Sequence, residues 1–141
     1  MVEIEGINYK TSLQDGIYYP RNMTVVEAAR LQTMPDDYCK SVSKTQGIKC
    51  LGNGWTAAVI TELLGQMLFN VDRKEEIVIL SMYDGIATGR YCLDKLGFQN
   101  IRYYAYEIDE NARTVALDNY PDIIQLGDAF QVRNDNWKLP N

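Results

Sequence analysis

Two glycines and an aspartate fall where a buried apolar run gives way to a helical pattern. Residues 81–89 (SMYDGIATG) carry Asp84, Gly85 and Gly89 between the two patterns. Glycines let the backbone approach a ligand closely, and the start of a helix offers backbone N–H groups without partners. A glycine in such a loop often serves only to turn the chain, so the loop alone leaves both interpretations open.

Two acidic residues further along the chain make a nucleoside site the more specific interpretation. Glu107 ends the next strand-like run, about 20 residues after Gly85, which is the spacing of the acidic residue that takes ribose hydroxyls in nucleoside-binding βαβ units. Asp128 follows Gly127 at the end of a third run and could accept from an adenine amino group. An aspartate at a strand end is also commonly a turn former or helix cap, and for Asp128 that alternative stays open.

These residues depend on an alternation of strands and helices in the second half of the chain. The pattern predicts strands at 77–82, 101–107 and 123–126, with helices at 89–96 and 109–119. Strands that alternate with helices of about ten residues indicate βαβαβ units and a parallel sheet. The carboxyl ends of parallel strands share one edge, so the loop and the two acidic residues are expected to converge there.

The first half is separated from this unit by the polar stretch 70–76 (NVDRKEE), whose residues 71–76 are the expected linker. Its predicted elements are a hairpin with strands 4–9 and 16–19 around Gln14-Asp15-Gly16, a helix over 25–32, and a helix over 56–69. Thr24 and Glu27 have the spacing of a capping box at the start of the first helix. Apolar residues at 59, 60, 63, 64, 67 and 68 predict a single buried stripe on the second helix.

Composition excludes several classes of function. A chain of 141 residues with 46% hydrophobic and 23% charged residues is typical of one soluble globular domain, here residues 1–141. A net charge of −5 argues against nucleic-acid binding without a partner. With no histidine, Ser-His and Cys-His nucleophile pairs and most zinc sites are excluded, and we predict no metal.

The cysteines and the apolar runs indicate the compartment. Three cysteines without CxxC spacing indicate reduced thiols and a cytoplasmic protein. No apolar run approaches the ~18 residues of a membrane span.

The motifs together resemble those of the cytosine-5 DNA methyltransferases, in particular the phage and de novo type branch. Residues 78–89 (VILSMYDGIATG) resemble the family's first motif, and Glu107 and Gly127-Asp128 resemble its second and third. Residues 21–38 (RNMTVVEAARLQTMPDDY) are similar to its ninth motif and residues 46–56 (QGIKCLGNGWT) to its tenth. Most members of the family have the opposite motif order, so the resemblance implies a circularly permuted chain, encoded by a bacterium or phage.

The resemblance implies a fold and a cofactor. The fold is α/β, a partial Rossmann-like methyltransferase fold with a βαβαβ parallel sheet preceded by a hairpin and helices, and the cofactor is S-adenosylmethionine, with S-adenosylhomocysteine as product. The implied contacts are Tyr83 stacked on adenine, Asp84, Gly85, Ile86, Ala87 and Thr88 around the methionine portion, Glu107 on the ribose, Ile108 and Asp128 at the adenine, and Asn53, Gly54 and Trp55 on the far side. A tryptophan that opens a helix often only packs, which stays open for Trp55.

The catalytic groups of the family do not occur in these residues. The family attacks cytosine with the thiolate of a Pro-Cys-Gln motif and uses the Glu of a Glu-Asn-Val motif and a later Arg. Cys39, Cys50 and Cys92 occur in other contexts, so no catalytic residue is predicted. The leading hypothesis is the cofactor-binding part of a permuted or split enzyme, which a second methyltransferase chain completes and which reaches DNA only in that complex. A non-catalytic regulatory or remnant module is an alternative, as is a nicotinamide-binding Rossmann domain, which would lack GxGxxG.

The expected sheet has an unprotected edge. In the strand order 3-2-1-4-5, a sheet without strands 4 and 5 leaves strand 1 at its edge, here the apolar run from Ile77 to Met82. Such an edge is a template for pairing with another strand. We therefore expect association through this edge, with a second methyltransferase chain or with another copy, and no membrane partner.

Overall fold

The computed structural model describes residues 2–4, 7–9, 16–17 and 19–134. A two-stranded hairpin and three helices precede a β-α-β-α-β unit and a final short helix. The elements are β1 (Val2–Ile4), β2 (Ile7–Tyr9), α1 (Val25–Leu31), α2 (Lys44–Asn53), α3 (Ala57–Met67), β3 (Glu76–Met82), α4 (Thr88–Lys95), β4 (Asn100–Tyr106), α5 (Glu110–Asn119), β5 (Ile124–Gly127) and α6 (Gln131–Asn134).

The three strands of the second half form a parallel sheet in the order β3-β4-β5. β3 and β4 are aligned from Glu76 opposite Asn100 to Met82 opposite Tyr106. The predicted mixed α/β architecture with a parallel sheet is therefore confirmed, and it is consistent with a partial Rossmann-like methyltransferase fold. Among the strands that the structure describes, β3 lies at the edge, as expected from the strand order.

The hairpin lies closer to the start of the chain than the sequence predicted. β1 and β2 pair antiparallel, with Val2 opposite Tyr9, so the predicted strand 4–9 is wrong: its residues divide between two strands. Gly16, Ile17 and Tyr19 are in no strand, and the predicted turn residues 14 and 15 lie outside the described residues.

The sequence predicted the first helix but not the second. At α1 the capping box is confirmed: the Glu27 N–H donates to the Thr24 hydroxyl at 3.2 Å, and the Thr24 N–H donates to the Glu27 carboxylate at 2.9 Å. The sequence analysis missed α2. Its glycines lower helix propensity and obscure the pattern. Gly47 has a packing reason, since a Cβ there would lie 3.3 Å from the Cβ of Cys39.

The apolar residues of α3 do not form the single buried stripe that was predicted. Ile60, Leu64 and Leu68 pack against the core. Val59, Leu63 and Met67 are between 51% and 75% exposed. These three residues are four apart and share one side of the helix, which we call the outer face of α3. Sequence periodicity identified both sets as apolar, but it does not tell which set has a tertiary neighbour.

The core of the molecule joins the two halves of the chain. One buried cluster combines Tyr38, Leu51 and Ala57 of the first half with Cys92 and Val115 of the second. Another lies between the sheet and the helices α4 and α5. The end of the loop that follows β3 is anchored in these clusters, Ile86 in the first and Ala87 in the second. No helix in the part of the chain seen here is long and apolar enough to cross a bilayer.

Candidate functional site

A cavity of about 400 Å³ lies where β3 and β4 end, facing the end of α2. Its size is in the range of ligand pockets, about 300–1,000 Å³, and the ends of parallel strands are a common place for them. Nine of the predicted site residues line it: Asn53, Gly54, Trp55, Tyr83, Asp84, Gly85, Ile86, Thr88 and Glu107. The two halves of the chain therefore contribute to one cavity.

Three other predicted site residues are not part of the cavity lining. Ala87, the last residue of the loop before α4, is fully buried, in a left-handed conformation with φ 63°. Ile108 is 71% exposed next to Glu107. Asp128 accepts a hydrogen bond of 2.9 Å from the N–H of Phe130, and its carbonyl accepts from Gln131. Asp128 thus has the contacts of a turn former, which was the alternative to a contact with the adenine amino group.

The cavity also contains residues that sequence reasoning missed. They are Lys49, Cys50, Ser81, Met82, Gly89, Asp109 and Ala112. The ammonium of Lys49 on α2 donates to the Asp109 carboxylate at 2.9 Å, which lowers the pKa of Asp109 and raises the pKa of Lys49. Ser81, Met82 and Gly89 lay inside the motif already singled out, but Lys49 could be placed only with α2.

The loop after β3 has an unusual backbone. Tyr83, Gly85 and Ala87 have φ values of 58°, 63° and 63°. The left-handed region is costly for residues with a side chain, and such strain persists only where the surroundings hold it. Among the contacts that hold this loop, the Asp84 N–H donates to the Tyr106 carbonyl at 3.0 Å, and the Tyr38 hydroxyl donates to the Ile86 carbonyl at 2.9 Å.

Glu107 joins the loop to the start of α5. Its Oε2 accepts from the Gly85 N–H at 2.8 Å, and its Oε1 accepts from the N–H groups of Ile108 and Asp109, each at 2.8 Å. These three backbone donors fix the carboxylate in one orientation. A carboxylate offers about four acceptor positions, so Oε2 can still accept from a ligand hydroxyl in the cavity.

Asp84 faces into the fold beneath the loop. Its Oδ1 accepts from the Tyr103 hydroxyl at 2.7 Å, whereas Oδ2 is buried and has no hydrogen-bond partner among the described residues. Burial raises the pKa of Asp84, while hydrogen bonding by the Ser81 and Tyr103 hydroxyls acts in the opposite direction. A Cβ on Gly89 would lie 2.9 Å from the Tyr103 hydroxyl. Gly89 therefore makes room for that hydroxyl, whereas Gly85 has open space around its Cβ position.

The turn between α2 and α3 places Trp55 at the cavity. Gln32, after α1, fixes this turn: its side-chain amide donates to the Leu51 carbonyl at 3.0 Å and accepts from the Thr56 hydroxyl at 2.9 Å. The Ala57 N–H donates to the Gln32 carbonyl at 2.9 Å. Trp55 itself is 64% exposed. An indole that served only to pack would be covered, so the structure does not support that alternative.

The thiols have the surroundings of structural cysteines. Cys39, Cys50 and Cys92 are free and buried, and burial raises the pKa of each. A thiolate is the reactive form of cysteine, so these environments suppress reactivity. The residues that the structure describes contain no cluster of side chains suited to hold a metal ion.

A family of known proteins matches the first half of the chain. The family model of the C-5 cytosine-specific DNA methylases matches residues 5–68, a little under half of the sequence. The matched segment includes α1, α2, Trp55 and α3, and it supports the family resemblance drawn from the motifs. The match indicates a role related to DNA methyltransferases, a family that normally uses S-adenosylmethionine. The βαβαβ unit lies outside the matched residues.

Proposed function

We propose that this chain binds S-adenosylmethionine in the cavity and is the cofactor-binding part of a cytosine-5 DNA methyltransferase. The observation that carries the proposal is that Trp55 and Glu107, from the two halves of the chain, line one cavity at the ends of parallel strands. When bound, the cofactor supplies the methyl group that such enzymes transfer. The family match favours this function over a nicotinamide-binding domain.

The chemistry of the cavity suits this ligand. Glu107 keeps one acceptor position for a ribose hydroxyl, and the exposed rings of Trp55 and Tyr83 offer apolar surface for a purine. The lining contains three carboxylates, those of Asp84, Glu107 and Asp109, and one ammonium, that of Lys49, which pairs with Asp109. An excess of negative charge favours a ligand that carries a sulfonium cation. Ile108 and Asp128 would contact the cofactor only at the rim.

Calorimetry with S-adenosylmethionine tests the site. Glu107→Gln removes the charge that accepts the ligand hydroxyl, and we expect its affinity to fall by about tenfold or more. The matched control is Glu110→Gln, an exposed residue in the first turn of α5, which should bind like the wild type. Equal affinity in Glu107→Gln would contradict the assigned site. A folded wild-type protein that binds no cofactor would favour the regulatory module.

The methyl transfer itself requires a thiol from elsewhere. These 141 residues contain no Pro-Cys-Gln, and the three thiols are buried. In the proposal, the catalytic cysteine and the DNA-reading surface lie outside these 141 residues, and a second methyltransferase chain supplies them. The chain described here should bind the cofactor and methylate nothing alone, and a methylation assay with labelled cofactor checks that outcome.

The edge of the sheet is the proposed contact with that polypeptide. In the part of the chain described, no strand covers the outer edge of β3, and Val78 on this strand is 47% exposed. The outer face of α3 adds Val59, Leu63 and Met67 as apolar surface. A two-fold axis between two copies would make the paired β3 strands antiparallel. A parallel strand from a second methyltransferase chain would instead continue this sheet, so we propose that occupant, with self-association as the other outcome.

A further inference from the structure

We propose that Tyr103 is a positioning residue of the cavity, which acts through Asp84. Its hydroxyl holds the Asp84 carboxylate beneath the loop, and the negative charge held there favours a cationic cofactor over its neutral product. The inference rests on the proposed function, because the ligand is S-adenosylmethionine and the product is S-adenosylhomocysteine.

The hydroxyl of Tyr103 lies in a tightly packed position between Asp84 and Gly89. Tyr103 lies in β4, is 2% exposed, and reaches Asp84 Oδ1 at 2.7 Å. On its other side, a Cβ on Gly89 would approach the same oxygen atom to 2.9 Å, closer than real Cβ contacts allow. A residue at position 89 with a side chain would displace this hydroxyl. The hydrogen bond between Tyr103 and Asp84 therefore depends on a glycine at position 89, which the packing of an aromatic ring alone would not require.

The charge of Asp84 is not paired with a cation in the part of the chain that the structure describes. No Lys or Arg of the described residues forms an ion pair with it. The titratable groups that face Asp84 are the hydroxyls of Tyr103 on β4 and Tyr38 after α1, and the carboxylate of Glu107 at the end of β4. Glu107 repels the Asp84 charge and so raises its pKa further. A charge that is half-buried and unpaired acts strongly on a ligand nearby, because little water screens it.

The two ligands differ in charge at their sulfur atom. S-adenosylmethionine carries a sulfonium cation, and methyl transfer converts it to the neutral thioether of S-adenosylhomocysteine. An ionised Asp84 at the cavity therefore stabilises the bound donor more than the bound product. Protonation of Asp84 removes this preference. Because the Tyr103 hydroxyl lowers the pKa of Asp84, its removal should move the protonation to higher pH.

The test is calorimetric titration with both ligands between about pH 5 and pH 8, on the wild type, Asp84→Asn, Tyr103→Phe and Tyr91→Phe. In Asp84→Asn, we expect the affinity ratio of donor to product to fall by about fivefold or more and to lose its pH dependence. In Tyr103→Phe, the ratio should fall at a higher pH than in the wild type. Tyr91→Phe is the matched control, because its ring contacts with Tyr38 and Lys95 remain, and it should follow the wild type.

Two results would overturn the inference: an unchanged ratio in Asp84→Asn, or the same pH midpoint in Tyr103→Phe and the wild type. A role of Tyr103 in stability alone would lower the melting temperature without moving this midpoint. The unliganded protein supplies an independent readout. A raised native pKa of Asp84 means that stability falls as pH rises through that pKa. This fall should vanish in Asp84→Asn and shift to higher pH in Tyr103→Phe.

Failure of the proposed function is distinguishable from failure of this inference. A wild type that binds neither ligand contradicts the function and, with it, the ligand preference. In that case, the pH dependence of the stability of the unliganded protein still shows whether Tyr103 lowers the pKa of Asp84. A wild type that binds both ligands, with Asp84→Asn unchanged, leaves the function standing and removes only the role given to Asp84 and Tyr103.

Discussion

The hydroxyl of Tyr38 donates a hydrogen bond of 2.9 Å to the backbone carbonyl of Ile86 and so connects the first half of the chain to the cavity loop. Asn119 on α5 in turn donates to the Tyr38 carbonyl at 2.9 Å. Burial raises the pKa of Tyr38, so its hydroxyl keeps its proton and remains a donor at neutral pH. One buried side chain therefore links α5, the segment after α1 and the loop.

Tyr38→Phe tests this link. The substitution leaves the Ile86 carbonyl without its partner in the interior, so the free energy of unfolding should fall by about 1–3 kcal/mol. Urea denaturation measures the change. Tyr19→Phe is the control, since Tyr19 is 83% exposed, and it should change stability by no more than about 0.5 kcal/mol. Equal stability of the two variants would contradict the role of the contact.

Gly89 and Tyr103 should be coupled energetically. Gly89→Ala inserts a methyl group 2.9 Å from the Tyr103 hydroxyl, so we expect a loss of about 1–3 kcal/mol in the free energy of unfolding. In the background of Tyr103→Phe, which lacks that oxygen atom, the loss should be smaller by at least about 0.5 kcal/mol. Additive effects in this double-mutant cycle would show that the crowding has another source.

Alanine should act in opposite directions at two glycines that both have open space at the Cβ position. Gly85 has φ 63°, where a side chain costs about 1–2 kcal/mol, so Gly85→Ala should destabilise the protein. Gly52 lies within α2, so Gly52→Ala should stabilise it by about 0.5–1 kcal/mol. Thermal unfolding of both variants checks the signs. Destabilisation at Gly52 would mean that α2 is not helical there.

Substitutions of two neighbouring leucines on α3 test stability and association separately. Leu63 is 51% exposed, so Leu63→Glu should change the free energy of unfolding by no more than about 0.5 kcal/mol. Leu64 is half-buried and packs against the core, and Leu64→Ala should cost about 1–3 kcal/mol. In light scattering, Leu63→Glu should weaken any association of the chain. Unchanged association in Leu63→Glu would remove the outer face of α3 from the interface.

The thiols should be unreactive in the native protein. Burial raises the pKa of Cys39 to about 11 and also raises those of Cys50 and Cys92. The thiolate fraction at pH 8 is then small, and it grows only as pH rises towards these values. Reaction with Ellman's reagent at about pH 8 should be slow in buffer and fast in denaturant. Fast reaction of one native thiol would identify a nucleophile that we have not assigned.

The sequence predicted the parallel sheet well because each strand and helix there has a strong local pattern. Helix α2 was missed since its glycines weaken that pattern, and its packing reason, the approach of Gly47 to Cys39, is a tertiary contact. For the same reason, Lys49 could not be placed beside Asp109, which lies 60 residues further along the chain. For Gly89, the sequence left open whether the glycine serves a ligand or the turn; the structure shows that it makes room for the Tyr103 hydroxyl, which no local pattern reveals.

The buried cluster shared by both halves has a consequence for biosynthesis. Ala28, Leu51 and Ala57 share one buried cluster with Cys92 and Val115, so part of their packing is completed only by segments that are synthesised later. At about 5–20 residues per second, the nascent helices wait several seconds on the ribosome before those segments emerge. During that interval their apolar surfaces are available to chaperones. Proteolytic nicking within the polar stretch 70–76 after synthesis should, by contrast, leave the two pieces held together by that cluster.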